Sequence, residues 1–403
     1  MPARSSRRLR LPLVALLAAA CAAGSVSAPA QAADVSPSHA SPNASADDGR
    51  ALRRQLRQLT TAPGGPPGVI AVLKRGSHTE VYRAGTAETG TGRPHPRPIK
   101  TTDHMRIAST AKAYSGAVAL RLVSRGELRL NDTIGKVLPR LPRAWHRITL
   151  RQLLNHTSGL PDFSADPKFL ALVTENPRRR FDSRRLLDFV AGRPPEFRPG
   201  SRYAYSNSDN IAVALMAEAA TGCRYEELLD RLVYRPLKLR GTSLPQGYRM
   251  PAPYMHGYDV TPSSPPEDVS EVLSASGVWA SGGIISTPKD MTAFIRGYAG
   301  GKLISDRVRR QQLKWVDGAS EPAGPGRNKA GLAIFRYATR CGVVYGHTGN
   351  FPGYTQLIAA TRDGKRSLTV SLTTQINKKN KPELLKRLRS VEENLVCALL
   401  RRR

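Results

Sequence analysis

The chain has 403 residues, 40% of them apolar, and a formal charge of +31 from 62 Lys and Arg against 31 Asp and Glu. That length and apolar fraction suffice for one large core or two smaller ones. Beyond the first residues no apolar run approaches the roughly 20 residues of a membrane helix, which excludes a helical membrane protein.

Arg4, Arg7, Arg8 and Arg10 form a basic opening, residues 11–23 a short apolar run, and Ala30-Gln31-Ala32 a small-residue cleavage site. That order predicts a secretory signal peptide over residues 1–32 and a secreted mature chain starting near Ala33. Ser6-Arg7-Arg8 is a partial twin-arginine pattern. Cys21 offers a lipid-attachment site, although the branched residue before it sits one place early. Simple release after Ala32 is the preferred reading. Residues 33–49, rich in Ser, Pro and Ala, read as a flexible lead-in.

A helix is expected over residues 50–59, then strands at 68–73 and 80–84 around Gly76-Ser77. Residues 107–291 carry mainly helical spacing, at 108–125, 149–154, 182–190 and 209–220. Strand-like runs return at 331–337, 343–345, 355–360 and 367–373. Asp363-Gly364 marks a hairpin between the last two. A helix over residues 382–400 closes the chain, with Pro382 where a helix can begin. The expected fold is α/β: an antiparallel sheet built from both chain ends and flanked by helices, with a mostly helical domain inserted. The catalytic unit would span 50–400, its sheet part 50–106 and 285–400 and its helical part 107–284. Ligand sites commonly lie at such a junction.

With Cys21 removed, Cys223, Cys341 and Cys397 remain, enough for one bridge. A Cys341–Cys397 bridge would tie the last helix to the sheet; three unpaired thiols are the alternative. The charge suits anionic wall polymers or a membrane surface. Nucleic acid is the rival, but the arginines are scattered and no nucleic-acid-binding signature is present.

Ser109-Thr110-Ala111-Lys112 opens a long helical run, so Lys112 shares a helix face with Ser109. A serine hydroxyl needs a neighbouring base, and a lysine serves if burial lowers its pKa. The helix N-terminus adds N–H groups for an oxyanion. An N-capping serine beside a solvated lysine is the plainer alternative. Tyr205-Ser206-Asn207 precedes another helix. Two apart on an extended loop, the phenol would relay a proton and the amide would bind a substrate carbonyl. His347-Thr348-Gly349 ends a strand run. As an edge strand it would bind an extended peptide, Gly349 admitting the substrate backbone and His347 with Thr348 a carboxylate.

In that order the three motifs resemble those of the serine β-lactamase and penicillin-binding-protein superfamily. The similarity points to the branch of class C β-lactamases, related esterases and Streptomyces-type secreted D-alanyl-D-alanine carboxypeptidases. The run 153–160 (LLNHTSGL) and the run 276–283 (SGVWASGG) before Ser286-Thr287-Pro288 also resemble that branch. The resemblance extends over roughly residues 50–400. It implies Ser109 as nucleophile on a penultimate D-alanine, with Lys112 and Tyr205 sharing proton transfer. Asn207 would hold the substrate amide, and the N–H groups of Ser109 and Asn350 the oxyanion. His347 and Thr348 would face the carboxylate. Arg336 is a further carboxylate partner or a solvated strand residue, and Trp279 a cleft wall or core filler. The resemblance also implies the Cys341–Cys397 bridge and no cofactor.

These residues favour a secreted D-Ala-D-Ala carboxypeptidase inhibited by penicillin, acting as a monomer on peptidoglycan stem peptides. A β-lactamase or esterase of the same fold and a catalytically silent β-lactam or wall-peptide binder are the alternatives. No serine has glycine two away on both sides, as an α/β-hydrolase elbow requires, and the eight histidines are too dispersed for a zinc site.

Overall fold

A computed structural model describes residues 42–90 and 96–401. The expected signal peptide, Cys21 and the first part of the lead-in lie outside the described residues. Helix α1 (Pro42–Thr60) starts well before residue 50, so the later lead-in is helical rather than flexible. Pro42 sits in the first turn, where its missing N–H costs nothing, and Ala44 and Ala46 favour the helix.

Strands β1 (Gly68–Arg75) and β2 (His78–Gly85) follow as a hairpin. Then come α2 (Ala111–Arg125), α3 (Leu150–Leu154), α4 (Asn207–Thr221) and α5 (Pro288–Ala299). Six strands complete the sheet: β3 (Val316–Asp317), β4 (Arg327–Ala330), β5 (Phe335–Thr339), β6 (Gly342–Phe351), β7 (Tyr354–Ala360) and β8 (Arg366–Leu372). Helix α6 (Pro382–Leu400) ends the fold. The antiparallel order is β2-β1-β8-β7-β6-β5-β4-β3, so the two chain ends meet where Val69 pairs with Leu372.

Both faces of the sheet are covered. Val69, Ala71 and Leu73 alternate with Ile70 and Val72 along β1. The first set packs with Leu52 and Leu56 of α1 and Leu388 and Leu395 of α6. The second joins Tyr114 of α2 and Phe294 of α5 in the larger core. Two-sided burial is why these strands read as continuous apolar runs. Cys341 and Cys397 are bridged across a Cα–Cα distance of 5.1 Å, tying the β5–β6 turn to α6. Cys223 is free and half-buried.

Several expectations need correction. The run 331–337 is a turn followed by the start of β5, because the backbone leaves the sheet after Ala330 so that Ala333 N–H can donate to Leu154 O (2.7 Å). Residues 183–190 form a 3-10 helix, with the Asp182 carboxylate capping it at Arg184 N–H. The run 343–345 extends to Phe351. A small ribbon, Tyr258–Asp259 with Glu267–Asp268, interrupts the mostly helical region. No helix among the described residues is long and apolar enough to cross a membrane.

Candidate active site

Ser109 lies in a 3-10 turn, Ala108–Thr110, that leads into α2. The Thr110 hydroxyl closes the turn on Ile107 O (2.7 Å). Ala108 adopts φ 52°, a left-handed conformation costly for a residue with a Cβ, and it holds the following serine half-exposed between buried neighbours. Strand β6 presses against this turn. A Cβ at Gly349 would lie 2.6 Å from Ile107 O and 3.0 Å from the Ala108 Cβ. Glycine here makes room for the serine turn, where the sequence suggested room for substrate.

Lys112 is one helical turn on and only 1% exposed. Its Nζ reaches Asn207 Oδ1 (2.7 Å), Ser281 O (2.8 Å) and Ser109 Oγ (3.0 Å). The first two partners are pure acceptors and fix two N–H groups. The third tetrahedral position faces the serine hydroxyl, so a neutral amine points its lone pair at Oγ. Burial lowers the Lys112 pKa to about 7, against the opposing charges of Asp162, Glu321 and Asp209.

Asn207 is the first residue of α4, not part of an extended loop. Its amide nitrogen donates to Asp162 Oδ2 (3.0 Å) and Ser164 Oγ (2.8 Å), and its backbone N–H also donates to Asp162 Oδ2 (3.1 Å). Asp162 thus caps α4 from a neighbouring turn, with its charge at the positive helix end. The amide that the sequence reading gave to substrate also orients Lys112. Tyr205, 8% exposed, lies with its ring 5.0 Å from Lys112 Nζ and 4.5 Å from the His156 ring. Burial pushes its phenol well above the ordinary value while nearby Ser109 pulls it back, although their contact falls short of a hydrogen bond. Behind it, His156 Nδ1 meets Asp209 Oδ2 at 2.7 Å. Burial drives Asp209 up and His156 down to about 3, so this contact is a hydrogen bond between groups pushed towards neutrality.

A buried lysine whose free position faces a serine at a helix start, with a phenol alongside, is an acyl-transfer arrangement. The family model described as Beta-lactamase matches residues 52–393. The chain belongs to the beta-lactamase family. Penicillin-binding protein 4* of Bacillus subtilis is 23% identical over 68% of this chain and 61% of its own length. A putative D-alanyl-D-alanine carboxypeptidase of Escherichia coli is 28% identical over 36% of this chain and 35% of its own. The chain therefore spans under two thirds of these relatives. Among solved structures, a D-stereospecific amidohydrolase from Streptomyces sp. superposes with TM-score 0.71 at 28% identity, over 84% of this chain and 97% of its own. D-amino acid amidase from Ochrobactrum anthropi gives 0.74 at 22%, over 87% and 99%, a likeness of fold. The family match and these relatives place the chain in the serine β-lactamase and penicillin-binding-protein superfamily.

The rest of this beta-lactamase-family site is less tightly bonded. Strand β6 is internal as far as Gly346, which pairs with Phe335; from His347 to Phe351 it pairs only with β7, so this half is the edge the sequence suggested. His347 is fully buried, with Nδ1–H donating to Thr348 O (2.6 Å) and Nε2 an acceptor without a donor. Burial lowers its pKa to about 3, so it is no cation for a carboxylate. The Thr348 hydroxyl donates to Pro322 O (2.5 Å). The Asn350 amide donates to Ile376 O (2.8 Å) and accepts from Asn377 (3.0 Å), a support for the strand end. Arg336 pairs across β5–β6 with Tyr345, and among the described residues no hydrogen bond or ion pair carries it to the serine. Trp279 is core filler: fully buried, it donates from Nε1 to Glu226 (2.9 Å) and anchors the turn whose Ser281 carbonyl holds Lys112.

Sequence reasoning missed Asp162, the Ser281 carbonyl, Asp209 and Glu321. Asp162 sits in Pro161-Asp162-Phe163-Ser164, a turn-forming signal that would have marked it. The others carry no local signature.

Proposed function

We propose that this hydrolase cleaves an amide bond on the carbonyl side of a D-alanine-type residue through an acyl-enzyme on Ser109. The observation that carries it is the Lys112 Nζ, buried, held by two acceptors and 3.0 Å from Ser109 Oγ. Neutral Lys112 takes the Ser109 proton as Oγ attacks the carbonyl. The N–H groups of Ser109 and Asn350 bind the oxyanion, with Gly349 admitting the serine turn against the strand. The C–N bond then breaks, the proton passes from Lys112 by way of Tyr205 to the leaving amine, and water attacks the ester in the reverse sense. His347 and Thr348 line the leaving-group side.

A penicillin-sensitive D-alanyl-D-alanine carboxypeptidase acting on wall peptides, exported by residues 1–32 and working as one unit over residues 50–400, is the first form of this reading. Hydrolysis of a D-amino acid amide is the second. It is favoured by a site with neutral His347 and, among the described residues, no arginine bonded at the serine, and by the likeness to the Streptomyces amidohydrolase. D-Alanine release from a peptide ending in D-Ala-D-Ala and ammonia release from D-alanine amide test the two, with Ser109→Ala as control. Release by wild type alone supports the mechanism. Turnover by Ser109→Ala, or none by wild type, overturns it.

A further inference from the structure

The run 153–160 carries a histidine that has no task in this mechanism. Among the described residues no hydrogen bond holds Tyr205 OH, so the place of the phenol beside Ser109 rests on its ring and backbone. His156 holds both. Its carbonyl accepts from Ala204 N–H (2.9 Å), and Ser206 N–H points at its Nδ1 from 3.5 Å, so one residue grips the chain on either side of Tyr205. Between these contacts the imidazole lies against the Tyr205 ring, with 4.5 Å between centroids and a tilt of 33°. Tyr203 stands edge-on to the same imidazole at 6.0 Å, and its own hydroxyl donates to Ala319 O (2.5 Å).

His156 is itself fixed. It is buried at φ 57°, a left-handed conformation that costs a residue with a Cβ and persists only where the surroundings hold it. Two side chains of its loop meet one carboxylate in the first turn of α4: the Ser158 hydroxyl donates to Asp209 Oδ1, and His156 Nδ1 lies 2.7 Å from Asp209 Oδ2. The Ser206 N–H aimed at Nδ1 makes that nitrogen the acceptor, which assigns the shared proton to Asp209 and the ring proton to Nε2. Asp209 is fully buried, and burial raises its pKa while lowering that of His156, the direction this neutral pair requires.

Resting on the acyl-enzyme reading above, we propose that His156 is the positioning residue for Tyr205 and that Asp209 serves it as a neutral hydrogen-bond donor. As the C–N bond breaks, Tyr205 gives its proton to the leaving nitrogen and regains one from the Lys112 ammonium, which returns to the neutral amine. A misplaced phenol fails at that step and not at the attack of Ser109, because Lys112 takes the serine proton through contacts that do not involve His156. The damage falls on substrates whose leaving group must be protonated. A 4-nitrophenyl ester, whose leaving group departs as a stabilised anion, escapes it.

The test measures kcat/KM, which covers the steps up to release of the leaving group. The substrates are D-alanine amide or the D-Ala-D-Ala peptide, whichever wild type cleaves, and a 4-nitrophenyl ester of the same acyl group. His156→Asn removes the ring, and asparagine tolerates the left-handed backbone. It should lower the amide value by about thirtyfold or more and the ester value by less than about threefold. Equal losses on both substrates make His156 a structural residue only and overturn the proposal, as does an unchanged amide value. Should His156→Asn not fold, His156→Gly, unstrained at φ 57°, gives the same comparison. In Asp209→Asn the amide can donate to Nδ1 and accept from Ser158 as the neutral acid does, so its amide turnover should stay at least about tenfold above that of the His156 variant. A folded Asp209→Asn that falls to the same level requires a carboxylate there and sinks the neutral donor. A wild type inert on both the amide and the peptide overturns the reading on which this rests, a result seen before any variant is made.

Discussion

The two sides of Ser109 differ in how completely they are bonded. On the helical side Lys112 holds Asn207 and Ser281, Asn207 holds Asp162 and Ser164, and Asp162 caps α4. On the sheet side His347 Nε2 is uncommitted, and among the described residues Arg336 has no bonded link to the serine. A group that moves protons must be positioned before substrate arrives, and its hydrogen bonds do that work. A group that recognises substrate must keep its bonding capacity open. The contrast assigns chemistry to one wall and selection to the other.

The largest effect should come from the bonded wall. Lys112→Ala removes the base and should lower kcat by about 10³-fold or more. Intact-mass detection of penicillin acylation at Ser109 checks the same step, and a variant that acylates at the wild-type rate would break the assignment. In wild type, kcat/KM should rise with pH through about 7, because only the neutral amine accepts the Ser109 proton and burial has brought its pKa there. A limb near pH 10, the range of an exposed lysine, would contradict a buried base.

Asp162→Asn should come next. It removes the charge that caps α4 and weakens the hold on Asn207, at about 1 kcal/mol of stability by analogy with lost caps. Its larger effect is on rate, since a small displacement of Lys112 should lower kcat by about 10²-fold with KM little changed. A thermal melt and steady-state kinetics separate the two losses. A variant that raises KM and spares kcat would make Asp162 a recognition group and dissolve the contrast between the walls.

The same contrast explains what was legible in the sequence. Strands β1, β2, β6, β7 and β8 and helix α2 were readable as runs of strand-forming or helix-spaced residues bounded by turn signals, and α6 by its amphipathic spacing, whereas the short β3 and β4 were not. Ser109, Lys112 and Tyr205 were readable because their spacing is set by one helix and one loop. The start of α1 was missed because Ser and Pro hid the alanines of its first turns. Residues 331–337 misled because an apolar run does not report a backbone hydrogen bond to Leu154, 179 positions away from Ala333 in the chain. Glu321 was invisible for a similar reason: only the folded chain sets it between Tyr203 and Thr348. Gly349 and Asn207 were seen but their protein neighbours were not, since a motif tells which residues meet and not which neighbour takes each hydrogen bond.

The smallest effect should come from Arg336→Ala. The guanidinium stands opposite Tyr345 and the side chain is half-buried, so its loss resembles a surface change, within about twofold in kcat/KM. The informative comparison is between a D-Ala-D-Ala peptide and D-alanine amide in the same variant, because only the peptide carries a terminal carboxylate. Equal, small changes on both leave the sheet-side wall without a carboxylate anchor and favour the amide form of the reading. A tenfold rise in KM confined to the peptide would mean that Arg336 swings to the serine when substrate binds. The carboxypeptidase form would then stand, and the open wall would be one that closes on its ligand.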